Sequence, residues 1–195
     1  MRATILTAIT CGWLAATGGV AHAAGPKYYF QLRDVKAGPA VDPALKAYAG
    51  EALKADLAGR PEWASDIGAH GTDAVVAELK KRNLRGFDVT VRIENIKKEL
   101  KEPAPGARLK RLALTVRLSV FGTTIPEEKL SFSGDGEAGL ESEVSEKNLA
   151  AEETSLAKDA VKDAVKQAVD QAVLKLSLGT SAPMNESKKK KKKKG

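Results

Sequence analysis

Cysteine and histidine are almost absent from this chain of 195 residues, which contains one cysteine, Cys11, and two histidines, His22 and His70. Because Cys11 and His22 fall in an N-terminal leader, the processed protein is expected to keep no thiol and a single imidazole. Disulfides, cysteine nucleophiles and zinc sites built from cysteine or histidine clusters are therefore excluded for the processed protein.

The first 23 residues have the features of a secretory signal peptide. Arg2 precedes a mostly apolar run from Ala3 to Val20, and Ala21-His22-Ala23 has the small-x-small form that signal peptidase accepts. We predict cleavage after Ala23 and export to the periplasm or out of the cell. Glycine and threonine dilute the run below the roughly 20 apolar residues of a membrane-spanning helix, which disfavours a membrane anchor.

Cys11 raises the alternative of a lipid-anchored protein. Lipid attachment expects a small residue before the cysteine and a polar linker after it, whereas Thr10 precedes Cys11 and an apolar stretch beginning at Gly12 follows it. The sequence therefore disfavours a lipoprotein modified at Cys11 and leaves it as an alternative to be tested.

The formal charge of +7 comes almost entirely from seven consecutive lysines near the C-terminus. Of the 32 basic side chains, one lies in the leader and seven lie in this run, so that the remaining 24 nearly balance the 25 acidic side chains. A near-neutral globular body with a short basic tail is thus expected, rather than a nucleic-acid-binding domain. We predict a signal peptide at 1–23, one globular domain at 24–178, and a disordered polar linker with the poly-Lys tail at 179–195.

The poly-Lys tail is the candidate polyanion-binding site. Seven adjacent ammonium groups repel one another, and each can gain about 1 kcal/mol near an anionic surface at modest ionic strength. No aromatic side chain interrupts the run, so contacts with nucleic acid would reach phosphates and would not read base sequence. An anionic lipid surface, a polysaccharide or another polyanion is the expected partner, and a tail without a selected partner is the alternative. The seven residues are Lys188, Lys189, Lys190, Lys191, Lys192, Lys193 and Lys194.

The first half of the body predicts one strand followed by two helices. The aromatic run Tyr28–Val35 is typical of a strand, and Asp42-Pro43 supplies an N-cap and a first-turn proline for a helix. After a loop that contains Trp63, either Thr72 or Asp73 caps a second helix, which Gly86 is placed to end.

The second half predicts an antiparallel meander of three strands. Phe87–Ile93 alternates apolar and polar residues, and the runs from Leu112 to Val120 and from Leu130 onward do the same. A connection rich in proline and glycine separates the first two runs, and the length of 121–127 suits a hairpin between the second and the third.

A final helix, predicted at about Glu152–Leu176, contains a near-repeat of four residues from Lys158 to Val173. Because an α-helix turns about 100° per residue, each repeat advances the alanine and valine row by about 40°, and the apolar stripe winds around the helix. Such a stripe suits diagonal packing over a twisted sheet better than a straight coiled-coil seam. We predict a helix that covers the sheet, with an oligomerising coil as the alternative.

The glycine-rich segment Gly134–Gly139 has the spacing of a dinucleotide-binding fingerprint. Its carboxylates would repel a pyrophosphate, and it does not occur at the first strand-to-helix crossover, where that fingerprint belongs. Asp135, Glu137 and Glu141 form a hypothetical weak Ca²⁺ site, although the ligand spacing of a calcium-binding loop is absent. No cofactor or metal is therefore predicted.

Catalysis is not predicted either. His70, between Ala69 and Gly71, is typical of a solvated turn, and no serine stands in a Gly-x-Ser-x-Gly elbow. Trp63 and His70 are candidates for the lining of a small pocket, although Trp63 is better explained as a core residue under its loop.

The order strand, helix, helix, strand, strand, strand, helix predicts an α/β (α+β) two-layer sandwich with a four-stranded mixed sheet covered by helices. Three segments carry a resemblance to known proteins: Tyr28–Val35, the run from Leu79 to Val91 and the final amphipathic helix. The arrangement resembles the small periplasmic domain of bacterial envelope accessory proteins, of the curli-secretion lipoprotein and penicillin-binding-protein activator lipoprotein type. It is also similar to secreted myxobacterial proteins, some of them joined to HEAT repeats. The resemblance spans most of residues 27–178 without a diagnostic motif, so no site residue is transferred.

This resemblance implies an exported, non-catalytic accessory module that binds another envelope protein or a cell-wall component. The first alternative is a polyanion-binding protein that acts mainly through its tail, and the second is an exported hydrolase. Salt separates the first two hypotheses, because a steep salt dependence of binding favours the tail, whereas salt-insensitive binding without the tail favours a protein partner.

Overall fold

The computed structural model describes residues 26–103 and 109–178, which form a five-stranded mixed sheet and three α-helices. The predicted signal peptide with Cys11 and Ala23, and the predicted linker and lysine tail, lie outside the described residues. In chain order the elements are β1 (Tyr28–Ala37), α1 (Pro43–Ala58), β2 (Trp63–Ala64), α2 (Thr72–Arg82), β3 (Arg85–Lys101), β4 (Lys110–Thr124), β5 (Leu130–Val144) and α3 (Leu149–Ser177), which follows a 3₁₀ turn at Glu146–Asn148.

The sheet has the spatial order β2-β1-β3-β4-β5, and the predicted number of four strands is wrong by one. The additional strand, β2, is two residues long and pairs in parallel with Tyr28 and Tyr29 of β1. The sequence analysis assigned Trp63 to a loop, because two residues are too short to show the alternation that indicates a strand. The pairing is continued by the carbonyl of Glu62, which accepts hydrogen bonds from the amides of Lys27 and Tyr28.

The topology of the longer strands agrees with the prediction. Strands β3, β4 and β5 form an antiparallel meander, and β1 lies parallel to β3 with both helices α1 and α2 in the connection. All three meander strands are longer than their alternating apolar runs. The segment 134–139 that matched a dinucleotide fingerprint lies inside β5.

Helices pack on both faces of the sheet, which corrects the two-layer prediction. Neighbouring residues of a strand point to opposite faces, and Phe30 joins the main core under α1 and α3 while Tyr29 joins a smaller cluster with Val75 and Leu79 of α2. Helix α2 thus covers one corner of the face opposite to α1 and α3. Within the described residues, no helix is long and apolar enough to cross a membrane.

The ends of the first two helices show one confirmed and two wrong predictions. The N-cap of α2 is Gly71, which has no side chain to accept a capping hydrogen bond, rather than Thr72 or Asp73, which lie in the first turn of the helix. Asp42 caps α1, since its Oδ1 accepts a hydrogen bond from the amide of Ala44 at 2.8 Å. Helix α2 ends at Arg82 with Asn83, which has φ 55°, as its C-cap, rather than at Gly86, which is already the second residue of β3. A Cβ at Gly86 would overlap Cδ1 of Leu79, so a larger residue there requires the Leu79 side chain to move.

Helix α3 covers the sheet as predicted, and it lies directly on β5. The row Ala160, Ala164, Ala168 and Ala172 is buried, and the carbonyls of Ala164 and Ala168 contact Gly136 and Gly134 so closely that neither glycine has room for a Cβ. The glycines of the fingerprint-like segment therefore serve helix-to-strand packing.

Candidate functional site

A polar pocket of about 310 Å³ lies between the start of the sheet and the amino end of α2. We call it the Tyr29–Asp88 pocket. Its wall on the sheet comes from β1 and β3, its opposite wall from the loop before α2 and from α2 itself, and one end is closed by Ile125 in the turn between β4 and β5. The lining residues are Tyr29, Gln31, Ala69, His70, Gly71, Thr72, Val75, Asp88 and Ile125.

Strand geometry places the three polar residues of the sheet side by side. Tyr29 and Gln31 are two residues apart on β1 and so point to the same face, and Gln31 is in register with Asp88 on the neighbouring strand β3. The side chains that point the other way, including Phe30 and Phe87, enter the main core. The same alternation that builds the core therefore directs a phenol, an amide and a carboxyl into the pocket.

The loop that faces them is held by local hydrogen bonds. Asp66 Oδ1 accepts a hydrogen bond from the amide of Gly68 at 2.7 Å, and Arg82 at the end of α2 donates to the carbonyl of Ile67 at 3.2 Å. Gly68 and Gly71 have φ of 68° and 85°, a region that glycine enters without steric cost. This path brings His70 and the first turn of α2 to the pocket.

Tyr29 is the most buried polar residue of the pocket, with 7% of its surface exposed. Among the described residues its hydroxyl has no hydrogen-bond partner. Burial raises the pKa of the Tyr29 phenol, and the negative charges of Asp66 and Asp88 add to the increase. The hydroxyl therefore stays protonated, and it can donate one hydrogen bond and accept others.

Asp88 is a half-buried carboxyl group without an ion-pair or hydrogen-bond partner for its side chain among the described residues. Arg33, the positive charge that acts on Asp88, is bound to Glu128 at 3.0 Å instead. Burial raises the pKa of Asp88; Arg33 opposes the increase and Glu128 adds to it. A partly desolvated carboxylate without a partner is costly in a folded protein. Asp88 and the Tyr29 phenol line the same pocket and both lack a partner, so a ligand bound there could supply the partner for each.

The residues that the sequence analysis considered for chemistry lie mainly elsewhere. The candidate polyanion-binding lysines, 188–194, are outside the described residues. His70 is exposed in its loop, as predicted, and lines the Tyr29–Asp88 pocket without Trp63, which is buried in the main core.

The hypothetical Ca²⁺ ligands do not converge. Asp135, Glu137 and Glu141 are spaced along β5, where Glu137 is bound by Arg117 at 2.5 Å and Glu141 lies 4.0 Å from Arg111. Among the described residues, no group of three or more acidic, histidine or cysteine side chains could hold a metal ion. The acidic row is therefore part of a charged sheet face, and the calcium hypothesis is wrong.

Tyr29, Gln31 and Asp88 were not predicted as site residues from the sequence. Asp88 was recognised as a polar position of an alternating strand, which normally faces water. One signal for the pocket was available, since Tyr28-Tyr29-Phe30 places large aromatic residues on both faces of β1 and so indicates a packed element on each side.

Comparisons with known proteins leave the family open. No protein-family model matches the chain, and no curated protein matches it. Among solved structures, a minor lipoprotein from Acinetobacter baumannii shares 10% identity, with a TM-score of 0.41 and coverage of 78% of this chain and 96% of that chain. A candidate homologue of a neuraminyllactose-binding hemagglutinin from Helicobacter pylori shares 10% identity, with a TM-score of 0.43 and coverage of 71% and 83%.

An uncharacterised lipoprotein B from Nitrosomonas europaea shares 17% identity, with a TM-score of 0.35 and coverage of 80% of this chain and 90% of that chain. Two of these three similar structures are thus bacterial lipoproteins. At TM-scores below 0.5 they support no conclusion about the function of this chain, and they do not single out the envelope families named above.

Proposed function

We propose that this protein is an exported, non-catalytic accessory protein of the bacterial envelope, which binds an envelope protein or a cell-wall component, and that the Tyr29–Asp88 pocket belongs to its binding surface. One observation carries the proposal. Tyr29, a residue with 7% of its surface exposed, and the half-buried Asp88 line one open pocket, and neither side chain has a hydrogen-bond partner among the described residues.

Two further features support the proposal, one for binding and one for export. The pocket is formed by a glycine-containing loop on a rigid sheet, an arrangement in which the strands fix the polar groups and the loop provides access. The leader-like first 23 residues support export.

Hydrogen exchange tests the proposal on the full processed chain. Isolated cell-wall sacculi and solubilised envelope proteins of the producing cells are added separately, and amide protection is compared with the free protein. We expect increased protection at 29–31 and in the loop 66–72, and loss of this effect in Asp88→Asn. Asp135→Asn makes the same change on the exposed face of β5 and serves as the control. Protection confined to β4 and β5 would place the binding surface elsewhere and contradict the proposal.

The second candidate function is polyanion binding by the tail, and the run of seven lysines favours it. Binding of this kind depends steeply on salt, because each ammonium group that meets an anionic surface is screened within about 8 Å at physiological ionic strength. Deleting 188–194 is expected to abolish retention on vesicles that contain anionic lipid. Unchanged retention after the deletion would eliminate this candidate.

Cell fractionation with an intact mass measurement tests the proposed location. A soluble species that begins at Ala24, and that leaves membranes in a high-salt wash, supports export with peripheral attachment. A heavier species that begins at Cys11 and needs detergent would instead establish lipid anchoring.

A further inference from the structure

We infer that the Tyr29–Asp88 pocket binds a primary alkylammonium group, as found in a lysine side chain or a free aliphatic amine. The inference rests on the binding role proposed above and names the ligand chemistry of the same pocket.

The polar groups on the sheet side of the pocket match an ammonium group in number and type. Asp88 contributes carboxylate oxygens, Tyr29 a hydroxyl oxygen, and Gln31 an amide oxygen, all on one face of two adjacent strands. An alkylammonium has three N–H donors and no acceptor, so three oxygen acceptors can satisfy it. Hydrogen bonds of this kind are charge-assisted and hence stronger than those between neutral groups.

The apolar part of the pocket matches the aliphatic stem of such a ligand. Ala69, Val75 and Ile125 also line the pocket and supply its apolar surface. Long amine side chains bury their methylene groups along apolar surface while the charged end keeps polar contacts. A metal ion has no apolar group and would make no packing contact with these three side chains.

The charges around the pocket favour a cation over an anion. Asp66 and Asp88 both act on the Tyr29 phenol, while Arg33 is engaged with Glu128. The amino end of α2 carries partial positive charge, but Asp73 in the first turn offsets it. An anionic ligand would therefore meet the unpaired carboxylate of Asp88, whereas an ammonium would neutralise it.

The ammonium can come from a separate molecule or from this chain. Lys175 near the end of α3 donates a hydrogen bond to the carbonyl of Ser133 at 2.8 Å, which fixes that end of the helix beside the start of β5. The preceding turn contains Ile125, which lines the pocket. Nine residues separate Leu178 from Lys188, and the ten Cα–Cα steps between the two can span up to roughly 33 Å when extended. The lysine run of this chain is therefore tested as one source of the ammonium group, beside an external amine.

The test uses n-butylammonium as the probe and n-butanol as its uncharged counterpart, with the full processed chain at neutral pH. Titrations followed by NMR at Tyr29 and His70 are expected to show saturable shifts with the amine and none with the alcohol. Asp88→Asn is expected to weaken amine binding by at least about tenfold, since it removes a charge-assisted contact. Tyr29→Phe is expected to weaken it about threefold to tenfold.

Two matched variants control for general effects. Asp135→Asn removes a carboxylate from the exposed face of β5, and Tyr48→Phe removes a hydroxyl from α1, on the other side of the sheet. Both are expected to bind the amine like the parent protein. Circular dichroism of each variant verifies that it is folded.

Deletion of 188–194 distinguishes the sources of the ammonium. If the tail occupies the pocket, its removal raises the affinity for n-butylammonium and shifts the Tyr29 resonance in the absence of probe. Unchanged affinity after the deletion indicates an external amine or a partner's lysine, and the ligand chemistry is supported in either case.

Failure of the inference and failure of the proposed function give different results. If n-butanol, or acetate added as an anionic probe in the same titration, shifts the pocket resonances and the amine does not, the ligand class is wrong while the pocket still binds. If the amine binds equally to Asp88→Asn, the site of binding is wrong. If no probe moves these resonances and envelope fractions protect other surfaces, both proposals are overturned.

Discussion

Gly136 of β5 lies against the carbonyl oxygen of Ala164 in α3, with no space between them for a Cβ atom. One helical turn further along, Gly134 meets the carbonyl of Ala168 in the same way. Two residues of a strand and four residues of a helix cover similar lengths, about 6.8 Å and 6.0 Å, so a glycine at every second position matches a helix repeat of four. The acidic glycine-rich segment of β5 and the alanine and valine repeat of α3 therefore pack against each other in one contact.

This contact predicts the effect of adding one methyl group. Gly136→Ala is expected to destabilise the protein by about 1–3 kcal/mol, because the helix must move off the strand to admit the Cβ. Gly139→Ala is the matched control on the same strand, where a Cβ would meet Thr115 at an ordinary distance of 3.5 Å. Urea unfolding followed by circular dichroism measures both. Equal stability of the two variants would contradict the close approach.

The outer edge of β5 predicts a second measurable effect. Gln171 and Gln167 of α3 accept hydrogen bonds from the backbone amides of Asp135 and Glu137, at 3.2 Å and 3.4 Å. Unpaired edges of this kind invite pairing with other chains, and here helix side chains occupy them. Gln171→Ala is expected to accelerate exchange of the Asp135 amide and to cost about 0.5–1.5 kcal/mol.

The control for this edge is Lys162→Ala, an exposed position in the same repeat. It should leave exchange along β5 unchanged in native-state hydrogen exchange measured by NMR. If Gln171→Ala also leaves the Asp135 amide slow to exchange, then packing of α3, rather than its glutamines, protects the strand edge.

The raised pKa of Asp88 predicts how stability depends on pH. Burial raises the pKa of this carboxyl in the folded protein, so the folded chain takes up a proton at a higher pH than the unfolded chain does. The ionised carboxylate therefore opposes folding above the folded pKa, and this cost disappears below the ordinary aspartate pKa of about 3.9. Asp88→Asn is expected to be more stable than the parent near pH 7.

That difference should shrink toward zero as the pH falls below about 4, where both forms are neutral at this position. Thermal unfolding of the two proteins across a pH series provides the measurement, with Asp135→Asn as the exposed control. A stability gain that persists unchanged at low pH would show that the carboxylate charge is not its cause. A gain near pH 7 combined with weaker ligand binding would be the trade-off expected of a binding site.

Trp63 predicts a contrast between two substitutions. Its ring contacts Tyr28, Phe30, Phe87 and Phe132, with centroid distances from 5.2 Å to 6.3 Å, and its buried Nε1 has no hydrogen-bond partner among the described residues. Trp63→Ala is expected to cost about 3–5 kcal/mol, because it leaves a large cavity in this cluster. Trp63→Phe should cost markedly less, since it keeps an aromatic ring and removes the unpaired donor. Equal losses in urea unfolding would show that the indole makes a contact of its own.

The order and type of the long elements could be predicted because their signals are local. Alternation in β3 and β4, the cap at Asp42 and the winding stripe of α3 each depend on residues within one element. The strand ends were less predictable. Strand β3 continues to Lys101 through a register shift between Ile93 and Asn95, and pairing with β4 maintains it where its own alternation has ended.

The candidate site was far less predictable than the fold. Tyr29 and Asp88 are 59 positions apart, and a parallel register between β1 and β3 brings them to one pocket. The sequence around Asp88 indicates a solvated strand position. In the structure Asp88 is half-buried in the pocket, because α2 packs against that strand. His70 was identified as a turn residue, but its place at the pocket depends on the same packing.

The sequence by itself determined the near-neutral charge of the body, the leader-like start, the basic tail, and the sequence of strands and helices, since composition and short periodic patterns specify these. The tertiary structure decided the additional strand β2, the placement of α2 on the face opposite to α1 and α3, and the pocket between them. These features arise from pairing and packing between segments distant along the chain, and no short stretch of residues contains the information that sets them.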